Sequence, residues 1–161
     1  MSKIWFKEPA KIFEEAFPLG NGRIGAMVYG GAENEKISLN EDTLWSGYPE
    51  DKSRPGAPEA LADARKLIDG GKKTEAQELI WKKMLSSWTA AYQPAGNLII
   101  KMSHEENIVN YERELNLDNA VASVKYKSGN INYKREMFCS FPLNALIINI
   151  ASDSDGSIDC C

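Results

Sequence analysis

The sequence predicts a mainly β fold, an antiparallel β-sandwich that carries an inserted pair of helices. Two observations predict the sheets. Ala122, Val124 and Tyr126 alternate with polar residues, which is the pattern of a strand with one buried face. A Ser-Gly-Asn turn at 128–130 leads into a second segment of the same kind. A third observation predicts the helices, because residues 58–86 carry apolar side chains at helical spacing.

The remaining strand-like segments are short and are bounded by turn residues. A polar connection containing Gly30 and Gly31 joins the first two segments. After the turn at 128–130, Ile131, Tyr133 and Met137 continue one face of the sheet, and Cys139 follows as a small buried hydrophobe. The predicted strands outside 122–126 are 24–29, 36–39, 131–139 and 145–150.

The helical insertion has recognisable boundaries. Pro58 suits a first helical turn, and apolar residues recur at helical spacing over 61–68. The Gly70-Gly71 pair interrupts the pattern. Thr74 with Gln77 three residues later is a capping-box pattern, and it predicts that the second helix begins there.

The end of the chain predicts an unfinished hairpin. Residues 152–157 form a turn rich in Asp, Ser and Gly after the strand at 145–150. Ile158 then begins the expected partner strand, and the sequence stops three residues later. An unpaired ladder edge of this kind indicates a domain, residues 1–161, that was cut from a longer protein.

Composition limits the classes of partner. The 161 residues fit one domain, and the net charge of −4, without a Lys/Arg-rich tract, argues against nucleic acid or an anionic membrane. No apolar run is long enough for a signal peptide or a membrane span. Three cysteines, two of them adjacent at 160–161, argue against a disulfide framework. We therefore expect a cytoplasmic protein, or a secreted one whose signal peptide has been removed.

One glycine-rich run imitates a nucleotide-binding motif. Residues 20–25 fit GxGxxG, but that fingerprint requires a preceding strand and a following helix. No strong strand is expected before Gly20, and the residues after 25 are strand-like. The run therefore predicts a sharp turn into a strand, with Arg23 placed to point out of that turn towards a partner or ligand.

Catalytic and metal-binding patterns are missing from the sequence. His104 is the single histidine, and its polar surroundings predict a solvated surface residue. Cysteine and histidine spacing does not match a zinc site. No two carboxylates can be paired as acid and base from spacing, so we assign no catalytic residue, no metal and no cofactor.

The loop Asn-Glu-Asp-Thr-Leu-Trp-Ser-Gly at 40–47 carries the groups that bind sugars. Asn40, Glu41 and Asp42 can bond ring hydroxyls, and the indole of Trp45 can stack on a pyranose. The alternative is a turn in which Asn and Asp bond their own backbone and the tryptophan anchors the loop in the core. Gln93, in the segment 92–98, is a further candidate, with the similar alternative of a turn before a strand.

Three motifs resemble glycoside hydrolase family 95, the inverting α-L-fucosidases and their relatives. They are PLGNGRIGAMVYGGAENEKISLNEDTLWSG from residue 18, YQPAGNL from residue 92, and YERELNLDNAVASVKYKSGNINYKREMFCSFP from residue 111. The resemblance covers about Trp5 to Ile150, and residues 60–84 fall where that family has a helical insertion. One departure is Asn97, where the family commonly has an aspartate.

The resemblance implies a supersandwich-like N-terminal β-domain, a linker, an (α/α)6 catalytic barrel and a C-terminal β-domain. It implies hydrolysis with inversion by carboxylate and amide residues of the barrel, which is absent from this chain. The expected partners are the barrel of the same polypeptide and a fucosylated oligosaccharide or glycan.

The resemblance thus implies a non-catalytic N-terminal domain that supports the barrel and lines its active-site mouth, and that is inactive alone. Two alternatives stay open: a free-standing carbohydrate-binding module and a purely structural interdomain module.

Overall fold

A computed structural model of the chain describes residues 2–86, 88–104 and 106–161. The chain forms two compact units, residues 1–44 with 93–161 and residues 45–92. The first unit contains both sheets and the second contains both helices. The strands are β1 Lys3–Phe6, β2 Phe17–Gly20, β3 Ile24–Val28, β4 Asn34–Glu41, β5 Gly96–Lys101, β6 Ile108–Asn116, β7 Val121–Ser128, β8 Ile131–Ser140 and β9 Ala145–Ser152. The helices are α1 Ala57–Asp69 and α2 Lys73–Lys83, and a 3₁₀ turn spans Phe13–Glu15.

The first unit is the predicted β-sandwich. Sheet A has the order β1-β6-β7-β8-β9 and sheet B the order β2-β3-β4-β5, and all neighbouring strands are antiparallel. Strands β2 and β3 contact β7, β8 and β9 across the sandwich. Alternation along β2, β4, β7 and β8 supplies the core between the sheets, as the sequence predicts for 122–126. Its fully buried members include Val28, Ile37, Ala122, Val124 and Met137.

A buried ion pair joins the two sheets through this core. Arg135 of β8 donates from Nη1 to Glu35 Oε2 of β4 at 2.7 Å, and the two side chains are 1% and 0% exposed. The same guanidinium donates to the carbonyls of Gly31 and Ala32, and Glu35 Oε1 accepts the Gly30 amide. The pair therefore fixes the β3–β4 connection as well as the spacing of the sheets. Neither of its members was predicted, although Arg135 shares the face predicted for Tyr133 and Met137.

The second unit is a helical hairpin packed on small residues. Ala60, Ala64 and Ala76 are its buried alanines, whereas Leu61 and Ile68 of the predicted apolar face are 38% and 48% exposed. The predicted capping box is wrong: α2 begins at Lys73, and its N-cap has no side-chain hydrogen bond. A left-handed Gly71 and the bond from the Lys72 amide to the Leu67 carbonyl end α1 tightly. This turn places Thr74 inside the helix rather than at its cap.

The glycine-rich run at 20–25 is a hairpin turn, as predicted, but the expectation that no strand precedes it is wrong. Strand β2 ends at Gly20 and pairs with β3. The element that follows is a strand, so the helix that a dinucleotide fingerprint needs is not there. Gly22 has φ +91, a conformation that favours glycine and makes the tight reversal possible.

The predicted partner strand at the end of the chain is also wrong. After the turn at 153–156 the chain does not pair with β9 but crosses to sheet B, where Cys160 forms a bridge with Met102. The Tyr133 hydroxyl donates to the Ser157 carbonyl and holds the end of the turn against the sandwich. Met102 itself is 6% exposed and belongs to the core. Within the described residues, no helix has both the length and the apolar character to cross a membrane.

Removing one partner of the buried pair should be costly, because it leaves the other charge buried without compensation. We expect Arg135→Met to lower the free energy of unfolding, measured with urea, by about 3–5 kcal/mol. Lys134→Met, one residue away on the exposed side of β8, is the matched control and should change it by less than about 1 kcal/mol. Adding Glu35→Gln to Arg135→Met should recover part of the loss. Equal free energies of unfolding for Arg135→Met and Lys134→Met would contradict this account.

Candidate functional site

The polar loop singled out in the sequence begins at one end of sheet B. Glu41 is the last residue of β4 and lies opposite Ile24, and Asn40 lies opposite Gly25. Arg23 immediately precedes β3, so strand register brings it to the same end as Glu41. The β3–β4 pairing therefore brings Arg23 to Glu41 and its neighbour Asn40, although Arg23 and Glu41 are 18 positions apart in sequence.

Glu41 is held by hydrogen bonds on both oxygens. Arg23 Nε donates to Oε1 at 2.8 Å. The amide and the hydroxyl of Thr43 donate to Oε2 at 2.9 and 2.6 Å. Arg23 remains more than half exposed, while the Glu41 side chain is 26% exposed. The Arg23 side chain thus does leave the turn, as predicted, and its Nε is engaged within the chain.

These contacts favour the ionised form of Glu41. The Thr43 hydroxyl and then the Arg23 guanidinium lower the pKa of Glu41 to about 2. Glu41 in turn raises the pKa of Arg23. At neutral pH the loop therefore presents a carboxylate in a fixed orientation, which can accept but not donate a hydrogen bond.

Asn21 fixes the turn that presents Arg23. Its Oδ1 accepts the amides of Arg23 and Ile24 at 3.0 and 2.7 Å. Its Nδ2 donates to the Ser140 carbonyl at 3.0 Å, at the end of β8 in sheet A. Asn21 lies inside the glycine-rich motif, but no role was predicted for it. Asn at the centre of a Gly-Asn-Gly turn is a signal for bonding of this kind.

Asp42 and Gln93 extend the same end of the sheet. The Asp42 amide donates to the Arg23 carbonyl at 3.1 Å, and the Gln93 amide donates to the Leu44 carbonyl at 2.9 Å. Both residues are exposed. Gln93 precedes β5, which begins at Gly96.

Trp45 is the first residue of the second unit. Its ring meets Tyr92 edge to face with centroids 5.0 Å apart, and it is 48% exposed. The alternative in which the tryptophan anchors the loop in a core is therefore wrong. The Trp45–Tyr92 bridge and the bond from Ser46 N to the Ala91 carbonyl close the ends of this unit. Tyr92 lies in the candidate segment 92–98, but its pairing with Trp45 was not predicted.

Two glutamates have environments that exclude them as the acid of a hydrolase. Glu41 is ionised well below neutral pH, so it holds no proton to deliver to a leaving group. Burial raises the pKa of Glu35, opposed by Arg135 and the Gly30 amide, but Glu35 is fully enclosed in the core. A general acid needs both a raised pKa and access to the substrate.

His104 does not behave as predicted. It is half-buried, with Nε2 3.0 Å from the Tyr126 hydroxyl and its ring edge to face with Tyr133 at 4.7 Å. Two tyrosines facing the core provide this site, which the local sequence around His104 does not reveal. Among residues 2–86, 88–104 and 106–161, no three His, Cys, Asp or Glu side chains are grouped to hold a metal ion.

Comparison with family models identifies the class of protein to which this chain belongs. The family model described as glycosyl hydrolase family 65, N-terminal domain, matches residues 4–160. The chain belongs to this family of glycoside hydrolase N-terminal domains. The match names family 65, so it shows the N-terminal domain of a glycoside hydrolase without showing family 95.

Individual relatives are similar over most of the chain. Alpha-L-fucosidase 2 of Arabidopsis thaliana is 38% identical over 160 residues, which is 97% of this chain and 19% of the relative. Probable alpha-fucosidase A of Aspergillus niger is 33% identical over 163 residues, 94% of this chain and 20% of the relative. The corresponding Aspergillus oryzae protein is 28% identical over 149 residues, 86% of this chain and 20% of the relative. The chain therefore spans about a fifth of the length of these relatives.

The Thr43 and Arg23 contacts predict a pH dependence. The pKa of Glu41 is about 2 in the folded chain against 4.5 without these contacts, so its stabilising effect is complete above pH 4.5 and is lost as the pH falls towards 2. We expect Thr43→Val to raise the Glu41 titration midpoint, read from its side-chain carboxyl by NMR, and Arg23→Gln to raise it less. Lys3→Gln, which removes the ion pair with Glu114, is the control and should leave the Glu41 midpoint unchanged. An unchanged midpoint in Thr43→Val would contradict the assigned cause.

Proposed function

We propose that this chain is the N-terminal, non-catalytic domain of an inverting α-L-fucosidase-like enzyme of family 95, and that it supports the catalytic barrel of the same polypeptide. The match of residues 4–160 to a glycoside hydrolase N-terminal domain carries the proposal. The names of the similar proteins support the choice of a fucoside. The ionised state of Glu41 and the enclosure of Glu35 support a non-catalytic role.

The polar end of sheet B is the proposed substrate-facing part of the first unit. Asn40, Glu41, Asp42, Arg23 and Gln93 would line the mouth of the active site. A carboxylate that is already oriented by Thr43 and Arg23 loses little freedom when it accepts a sugar hydroxyl. In the second unit, Trp45 is proposed separately, on the basis of its half-exposed indole.

Substitution of Trp45 tests this role in the complete enzyme. We expect Trp45→Ala to lower kcat/KM for an α-L-fucosyl oligosaccharide several-fold to about tenfold, because an aromatic contact is worth about 0.5–1.5 kcal/mol. Trp81→Ala is the matched control, since Trp81 is 62% exposed and belongs to the same unit. A lower melting temperature with unchanged kinetics in Trp45→Ala would reject the site role and leave a structural one.

A second candidate function is that of a carbohydrate-binding module. Exposed aromatic rings in the second unit favour it, because such modules bind sugars on aromatic platforms. Tyr48 and Trp88 are 81% and 87% exposed, and Tyr92 is 41% exposed beside Trp45.

Titration of the 161-residue chain with a fucosylated oligosaccharide separates the two candidates. A binding module should give saturable quenching of tryptophan fluorescence with a Kd of about 1 mM or tighter. Trp45→Ala should abolish it, and the same concentration of an unrelated disaccharide such as sucrose is the control. Quenching that is absent, or equal for both sugars, would favour the supporting domain.

A further inference from the structure

Strand β5 forms one edge of sheet B. One of its sides pairs with β4, and in the described part of the chain no named strand pairs with the other side. The terminal segment, residues 159–161, reaches only the end of this second side. Lys101 and Cys161 exchange two backbone hydrogen bonds, of 2.8 Å from Lys101 N and 3.1 Å from Cys161 N, and Ser103 N donates to the Asp159 carbonyl at 3.0 Å.

These bonds set an antiparallel register. A pair that exchanges both bonds is followed by another such pair two residues along each strand. The next amides of β5 that point to the same side therefore belong to Ile99 and Asn97, while those of Leu98 and Ile100 point to β4. The bond from Met102 N to the Glu33 carbonyl, 2.7 Å on the β4 side, agrees with this alternation.

Burial along the inner face of β5 gives an independent indication. Met102, Ile100 and Leu98 share the face that packs on the core. Met102, which lies opposite Cys160, is 6% exposed; Ile100 is half-buried, and Leu98 is 37% exposed. Exposure of apolar side chains thus increases with distance from the terminal segment, as it should where a strand begins to cover a sheet edge and then stops.

We propose that the free side of β5 binds one further antiparallel strand, formed by the six residues that directly follow Cys161 in a longer polypeptide. The proposal rests on the proposed function, because it requires a polypeptide that continues towards the length of the relatives. The second residue after Cys161 would pair with Ile99 and the fourth with Asn97. Sheet B would then have five strands, and Leu98 would be covered.

Amide hydrogen exchange measured by NMR tests the register residue by residue. In the 161-residue chain we expect Ile99 and Asn97 to exchange rapidly and Leu98 and Ile100 slowly. Adding the eight residues that the gene encodes after Cys161 should slow exchange of Ile99 and Asn97 at least about tenfold, without changing Leu98 or Ile100. The matched control carries proline at the second and fourth added positions, which cannot sustain a ladder and should restore rapid exchange.

The proposal would be overturned by no added protection in the extended chain, by equal protection in the proline control, or by a reading frame that ends at Cys161. Protection of Ile99 in the 161-residue chain that increases with protein concentration would assign the edge to a second copy instead. None of these readouts depends on fucosidase activity. A failed strand and a failed substrate assignment are therefore distinguishable.

Discussion

The ion pair between Arg135 and Glu35 is the constraint on which the sandwich depends. It spans the core, so each sheet can pack only at the distance and register that keep the 2.7 Å contact. Burying two charges is unfavourable unless further bonds compensate, and here the Gly30 amide and two loop carbonyls do so. Arg135 Nε is the buried nitrogen of this pair that has no hydrogen-bond partner. The pair is therefore better understood as specifying one arrangement of the sheets than as a large net source of stability.

Further hydrogen bonds connect the loop that holds this pair, and the neighbouring strand β6, to the segment before β2. Tyr111 donates to the Gly30 carbonyl, and Arg113 donates to the carbonyls of Glu8 and Glu15. The Arg113 guanidinium also lies 4.5 and 4.6 Å from the rings of Phe6 and Phe17. Burial raises the pKa of Tyr111, so this hydroxyl stays protonated and remains a donor. One network thus joins the β3–β4 connection, strand β6 and the segment before β2.

Period-two alternation predicted strands β7 and β8, because strand faces are a local property of sequence, and the Ser-Gly-Asn residues predicted the turn between them. Strands β1, β2 and β6 were not predicted. Alternation also places Arg135 on the buried face of β8, but local sequence could not identify Glu35 as its partner 100 positions away. The prediction of a capping box at Thr74 was wrong because the tight turn before it makes α2 begin at Lys73. The prediction that His104 is a solvated surface residue was wrong because Tyr126 and Tyr133 contact its ring from distant strands. At the polar loop, the sequence shows which polar side chains are present. The bond from Arg23 to Glu41 could not be predicted, because it depends on the register of β3 and β4.

Glu41 and Glu35 show how the same side chain acquires opposite properties. Hydrogen bonds from Thr43 and Arg23 lower the pKa of Glu41, while burial raises that of Glu35. Each environment removes one requirement of an acid catalyst: Glu41 lacks the proton and Glu35 lacks access. What Glu41 retains is a carboxylate whose two oxygens are already oriented, so ordering it for a ligand costs little entropy. A preorganised acceptor at the exposed end of a rigid sheet is suited to recognition of hydroxyl groups, and less suited to cleavage of the bond between two sugars.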